Sequence, residues 1–193
     1  MMVKTRFSPP VIVFLFLTSL SGIHTVTSQE DYQEGYVITL KNDTLYGTVS
    51  DRKLGPFGGI HEKVKLKGKG LKKRFAPKKI RGYRKGGTTY RTMFLDGEYE
   101  FMRVETEGQV SHYVYELQEQ GEEMIIDVDY FAKGNSSDLV RVTQGIFGIK
   151  RKRMIAFFSD CPPLVEKIKN KEFKYAFELV AFYNEWKKNP KTS

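Results

Sequence analysis

Few side chains in this sequence are suited to chemistry. Of three histidines, His24 falls in an apolar leader, which leaves His61 in a Gly-rich stretch and His112. His112 and Glu116 sit in the β-prone run Val110-Ser-His-Tyr-Val-Tyr-Glu-Leu117, and Asp127 and Asp129 in the next one, Met124-Ile-Ile-Asp-Val-Asp-Tyr130. Side chains alternate between the two faces of a strand, so each of these pairs shares a face. If the two runs are neighbours, a histidine and three carboxylates converge. That set can do the general acid–base work of a small hydrolase or lyase, or hold a metal weakly. The same spacing arises on any solvated sheet face, and this plainer account is preferred: no catalytic residue, metal or cofactor is expected. The chain carries no nucleophile elbow, phosphate loop, dinucleotide fingerprint or zinc-protease helix motif.

Charge is the more distinctive feature. From Lys63 to Arg91 there are 13 basic residues and no acidic one; from Thr92 to Ile149 there are 12 acidic and 3 basic; from Lys150 onward, 11 basic and 5 acidic. A basic face attracts anions, so Lys63, Lys65, Lys67, Lys72, Lys73, Arg74, Arg81 and Arg84 are candidate contacts for an anionic glycan, lipopolysaccharide or an envelope protein. Phe75, Tyr83 and Tyr90 are interleaved with these cations and offer stacking surfaces. The competing account is a solvated face, or neutralisation of the acidic strands next door. Lys150-Arg-Lys-Arg153 reads as the wet side of a helix. A nucleic-acid partner is disfavoured, because the leader directs export and no recognition motif is present.

Lys4 and Arg6 followed by an apolar run from Val11 to Leu20, then Val26-Thr27-Ser28, have the layout of a secretory signal peptide cleaved before Gln29. The apolar run is about ten residues, against the roughly twenty that span a bilayer. Export to the periplasm, cell envelope or exterior is therefore expected. Cleavage removes two basic residues and no acidic one, leaving 30 Lys+Arg against 23 Asp+Glu, a net charge of +7. Cys161, the only cysteine, excludes an internal disulfide and multi-cysteine zinc sites, and its apolar neighbours imply a buried, inert thiol.

These residues are to be positioned by an α+β fold: a mostly antiparallel meander of seven to nine strands, open or barrel-like, with two or three C-terminal helices packed against it. Gly35–Leu40 and Leu45–Ser50 read as a hairpin about Asn42-Asp43, and Glu62–Gly68 as a half-buried edge strand with a lysine face. Five further runs from Thr88 to Val142 are separated by Asp96-Gly97, Glu107-Gly108, Gln120-Gly121 and Gly134-Asn135. The phase of Tyr99 and Phe101 against Met102 and Val104 predicts a β-bulge near Phe101. Beyond Gly145 the spacing is helical, with Asp160 capping a helix that has proline in its first turn. A last helix from about Glu172 to Lys188 is expected to be buried on more than one side, since Phe173, Phe177, Val180, Tyr183 and Trp186 surround it. One domain follows, 29–193, β-rich to 144 and helical from 145.

Gly35-Tyr-Val-Ile-Thr-Leu-Lys-Asn-Asp-Thr-Leu-Tyr-Gly47 resembles the opening, and Phe158-Ser-Asp-Cys-Pro-Pro-Leu-Val-Glu-Lys-Ile168 with Tyr183-Asn184 the C-terminal signature, of small exported proteins common in Bacteroidota. These proteins have no assigned activity. The resemblance implies export and a fold of this type, and no catalytic residue.

Overall fold

The computed structural model describes residues 31–50, 63–118, 125–134, 136–143 and 148–189. The leader, His61 and the Gln120-Gly121 turn lie outside the described residues.

Ten strands form one antiparallel sheet: β1 Gln33–Thr39, β2 Thr44–Ser50, β3 Val64–Gly68, β4 Leu71–Phe75, β5 Ile80–Lys85, β6 Thr88–Leu95, β7 Glu98–Thr106, β8 Val110–Gln118, β9 Ile125–Lys133 and β10 Val140–Arg141. Helices α1 Arg151–Phe157, α2 Pro162–Lys169 and α3 Ala176–Lys188 follow. The strand order is β10-β9-β8-β7-β6-β5-β1-β2-β3-β4, and the sheet is not closed into a barrel. The expected α+β class holds, with one strand more than the upper count. No described helix is long and apolar enough to cross a membrane.

The turn chemistry works as the sequence dictates. Asn42, Asp96, Gly97 and Gly134 all have positive φ, the conformation that Asn, Asp and Gly adopt at least cost. Strands β4 and β5 are the ones composition hides. Leu71-Lys-Lys-Arg-Phe75 has no alternation and little β-propensity, yet it pairs with β3 from Val64↔Phe75 to Gly68↔Leu71. The protected edge is therefore β4, with Lys72, Lys73 and Arg74 exposed along it, while β3 is an inner strand.

One link shapes the sheet. β4 and β5 run in the same direction on opposite sides of β1–β3, yet only residues 76–79 join them, through a 3₁₀ turn at Pro77–Lys79. In a flat sheet that link would cross four strand spacings, about 19 Å, and also return the length of a strand. Five Cα steps reach at most about 18 Å when fully extended. The β1–β5 region must therefore coil over one face. Thr92 pins the turn by donating through Oγ1 to the carbonyls of Ile80 (2.8 Å) and Pro77 (3.2 Å). Inside the coil Val37, Val49, Val64, Leu66, Ile80, Tyr83, Tyr90 and Phe101 form a dry core. Tyr83 stacks on Tyr90 at 4.6 Å, and Phe101 meets Tyr83 edge-on.

The same face, further along, carries the helices. Val110 and Phe131 meet Met154, Phe158, Leu164, Ile168, Leu179, Val180 and Tyr183 in a second core. The opposite face buries Met102, Tyr113, Val128, Tyr130 and Ala132. Because both faces are covered at β7, Phe101 and Met102 are buried in succession without a bulge. The register shift lies instead between Val104 and Thr106, opposite β8. Asn184 mimics a strand neighbour, accepting from Val110 N–H (2.8 Å) and donating to its carbonyl (2.9 Å).

Asp160 does not cap α2, whose N-cap is Cys161. Its carboxylate takes Tyr183 Oη at 2.7 Å, Lys133 Nζ at 2.7 Å and Lys187 Nζ at 3.0 Å, tying α3 and β9 to the α1–α2 turn. Burial alone would raise its pKa, but these donors hold it well below the ordinary carboxylate value; burial, together with the hydrogen bond to Asp160, pushes the Tyr183 phenol up. Cys161 is fully buried, as expected, and burial pushes its thiol up. Helix α3 begins at Ala176, later than its apolar pattern implies, because Glu178 accepts from the N–H groups of Lys174 and Tyr175 and fixes the first turn there. Phe177 is exposed against the expectation, stacked on Tyr175.

Two outcomes follow. A Cβ at Gly35 would lie 1.9 Å from Arg84 O, and one at Gly47 2.1 Å from Lys67 O. Either glycine replaced by alanine should lower the urea midpoint by the equivalent of more than about 2 kcal/mol, while Gly87→Ala, with nothing within 4 Å, should be near neutral. For Asp160→Asn the loss is about 1 kcal/mol at neutral pH, discounted because the side chain is 41% exposed. A depressed carboxylate contributes stability above its unfolded pKa and loses it as pH falls toward the folded value. The gap between wild type and variant, read from urea melts, should therefore stay constant from about pH 8 to pH 5 and close in stronger acid.

Candidate functional site

The runs bearing the histidine and the carboxylates do pair. Glu116 stands opposite Asp127, Val114 opposite Asp129 and His112 opposite Phe131, so all four candidates share the face that the helices cover further on. They resolve into two sets. His112 Nε2 meets Asp129 Oδ1 at 2.7 Å, with the imidazole edge-on to Phe131. His112 is 4% exposed, and its Nδ1 is buried with no hydrogen-bond partner among the described residues. Asp129 is held through its backbone, N–H to Thr143 Oγ1 and carbonyl to Val142 N–H.

Glu116 and Asp127 belong to Arg103. Its guanidinium bridges Glu116, Asp127 (2.7 Å) and Glu105. Arg103 lies opposite Val114 on β7, which places it on the shared face. Burial alone would lower its pKa, but hydrogen bonds to Asp127 and Glu105 outweigh this and raise it. Arg103 is the residue that sequence inspection passes over. Its signal is a single cation in the acidic run between Arg91 and Lys133.

Chemically the two sets are fixed rather than poised. A general base must approach the proton it removes, and the free nitrogen of His112 is buried. Glu116 and Asp127 have a guanidinium between them and cannot share a proton as an acid–base pair does. Three grooves are described. One of about 590 Å³ takes in Arg103, Glu105 and Glu107, a second of about 720 Å³ takes in Arg81, Arg91, Ser111 and Tyr113, and a third of about 1130 Å³ crosses β1–β3. None of the three is lined by His112, Glu116, Asp127 or Asp129. Among the described residues no three His, Cys, Asp or Glu side chains form a metal-ligand set.

The basic candidates sort by strand alternation. On the β3–β4 hairpin Lys65 faces Arg74 and Lys67 faces Lys72 directly, on the side away from the core. Arg84 reaches that side through the row Arg84↔Tyr36↔Tyr46. Lys63 is exposed just before β3. Two candidates leave the group: Lys73 pairs with Leu66 on the core-bearing side, and Arg81 donates to the Leu40 carbonyl and lines a different groove. The interleaved aromatics are not available either. Tyr83 and Tyr90 are core residues and Phe75 packs against them. The aromatics beside the cations are Tyr36 and Tyr46, 5.8 Å apart and edge to face. In the strand order β3–β4 and the acidic β8–β9 lie toward opposite ends. Arg91–Glu107, at 2.5 Å, is a contact between the two charge blocks.

Breaking a buried pair by removing one partner costs more than replacing both. Arg103→Met should destabilise by about 3 kcal/mol, because Glu116 loses its guanidinium while 6% exposed. Arg103→Met/Glu116→Met should recover most of that loss, and the coupling is read from a double-mutant cycle in urea.

Comparison with known proteins gives no family assignment: no family model, no curated protein and no solved structure matches the chain.

Proposed function

We propose that the protein acts after export, in the periplasm, cell envelope or exterior, as a non-enzymatic module. It binds an anionic glycan, lipid head group or acidic protein partner through the outer face of β3–β4. The observation that carries this is the pairing of like charges. Lys65 stands directly opposite Arg74, and Lys67 opposite Lys72. Like charges facing each other across a ladder are destabilising; at about 5 Å in water the repulsion is about 0.8 kcal/mol per pair before salt screening. A bound anion relieves that cost where Lys67 faces Lys72.

Supporting it, the stretch Lys63–Arg91 itself holds no acidic residue. The His112–Asp129 and Arg103 sets, for their part, are tied up in hydrogen bonds and ion pairs among their own members.

The test is salt-dependent retention on immobilised heparin and lipopolysaccharide. Wild type should remain bound above about 0.15 M salt. The variant Lys67→Glu/Lys72→Glu/Arg74→Glu should elute earlier, with the slope of log K against log salt reduced by roughly one per contact removed. Unchanged retention of the variant would overturn the proposal. So would weak wild-type binding, equal on every polyanion and gone at about 0.15 M.

A further inference from the structure

We infer that the groove across β1–β3 gives this surface its ligand class: a polysaccharide of acidic sugars, one ring of which stacks on Tyr46 while its anionic groups meet the cations beside it. The inference rests on the proposed basic surface and adds the chemistry that selects among anions.

The groove, about 1130 Å³, is lined among others by Tyr36, Tyr46, Thr48, Lys67, Lys69 and Arg84. Two rows of side chains cross it. Arg84, Tyr36 and Tyr46 are directly opposed on β5, β1 and β2, and Glu34, Thr48, Lys67 and Lys72 on β1 to β4. Neighbours within a row are about 4.8 Å apart, and the rows are two residues apart, about 6.8 Å. A ring bound on the first row thus has cations within one residue's reach on the second. Tyr46 is 75% exposed in mid-strand, and its backbone is ordered by the ladder to β1, where it stands opposite Tyr36. A tyrosine held this way presents an apolar ring at little further entropic cost on binding.

The neighbours fit a sugar better than other anions. A pyranose has a C–H face that sits on the electron-rich face of an aromatic ring, and a rim of hydroxyl donors. Glu34, at the β1 end of the second row with Thr48 between it and Lys67, accepts from such hydroxyls but repels a phosphate at the same place. Charges separated by neutral, hydroxyl-bearing rings suit a surface on which one carboxylate stands on β1, between the strands that carry Arg84 and Lys67. Continuous phosphodiester does not. Lys67 is steadied over the Tyr32 ring, 3.6 Å from its centroid, and keeps its ammonium at the groove wall.

Salt titration separates this inference from the surface it rests on. The slope of log K against log salt counts ionic contacts, and the displacement at fixed slope reports what is not ionic. Binding of wild type and Tyr46→Ala is measured on heparin, polygalacturonate, inorganic polyphosphate and single-stranded DNA. The expected result on both glycans is a loss of about tenfold at unchanged slope, the size of one ring-stacking contact. Tyr46→Phe should restore binding, and polyphosphate, which has no ring, should show no loss. No effect of Tyr46→Ala on the glycans, while Lys67→Glu/Lys72→Glu/Arg74→Glu still lowers the slope, overturns the glycan class and leaves the basic surface standing. A larger loss on single-stranded DNA than on either glycan overturns it in favour of base stacking. An equal loss on polyphosphate shows Tyr46 to be structural and overturns it too. If neither variant changes anything, both conclusions fall.

Discussion

The short link between β4 and β5 is the constraint from which the rest of the structure follows. It joins two strands that lie on opposite sides of three others, and it is too short to do so across a flat sheet. The sheet must coil, and coiling decides what each face holds. The inner face of β1–β5 closes on Val37, Leu66, Tyr83 and Phe101 without help from a helix. The strands after β5 are free of the coil, and their continuation of that face needs another cover, which α1–α3 supply. Gly35 opposite Gly47 is the local expression of the constraint, since backbone approaches at both positions where a side chain would stand.

Between the coil and the helices the same face carries a polar band: Arg103, Glu116 and Asp127, then His112 and Asp129. It lies where neither core reaches completely, so it is half shielded. In such a place a charge persists only with a partner. Arg103 supplies one to Glu116, Asp127 and Glu105 together, and His112 Nε2 supplies a hydrogen-bond partner to Asp129. The set that resembles a catalytic cluster in sequence is, in space, the seam joining two hydrophobic cores. Ion pairs of this kind add little net stability over apolar residues, but they discriminate against a slipped register, because a one-residue shift would send every member to the opposite face.

The sequence shows where local chemistry decides and conceals where the chain's connectivity decides. The Asn42, Asp96-Gly97 and Gly134 turns follow from residue type, as do the buried phase of Val64 and Leu66 and the burial of Cys161. β4 is invisible because three consecutive cations override propensity, and only its edge position, where they are wet, permits the strand. The bulge is misplaced because alternation assumes one buried face, whereas β7 is covered on two. Phe75, Tyr83 and Tyr90 look like a binding surface because they lie among cations in sequence, but period-2 alternation in a coiled sheet sends their rings inward and the cations outward. Residues of both stretches have structural places: Gly35 and Gly47 in the coil, Asp160 in the clamp between α3 and β9, and Tyr183 and Asn184 in the docking of α3.

Cations on β4 have two physical explanations, and the arrangement of their neighbours separates them. An edge strand needs charge to resist pairing with another chain, and Lys72, Lys73 and Arg74 provide it regardless of which face each occupies. Edge protection makes no demand on β3, which is paired on both sides and has no open edge. Yet β3 places Lys65 and Lys67 on the outer face only, each directly against another cation. It makes no demand on β2 either, where Tyr46 stands almost wholly in water beside Tyr36. Repulsive pairs and an exposed ring both cost stability where uncharged polar residues would cost nothing. Edge defence accounts for neither cost, whereas the proposed anionic ligand with a face to stack would account for both.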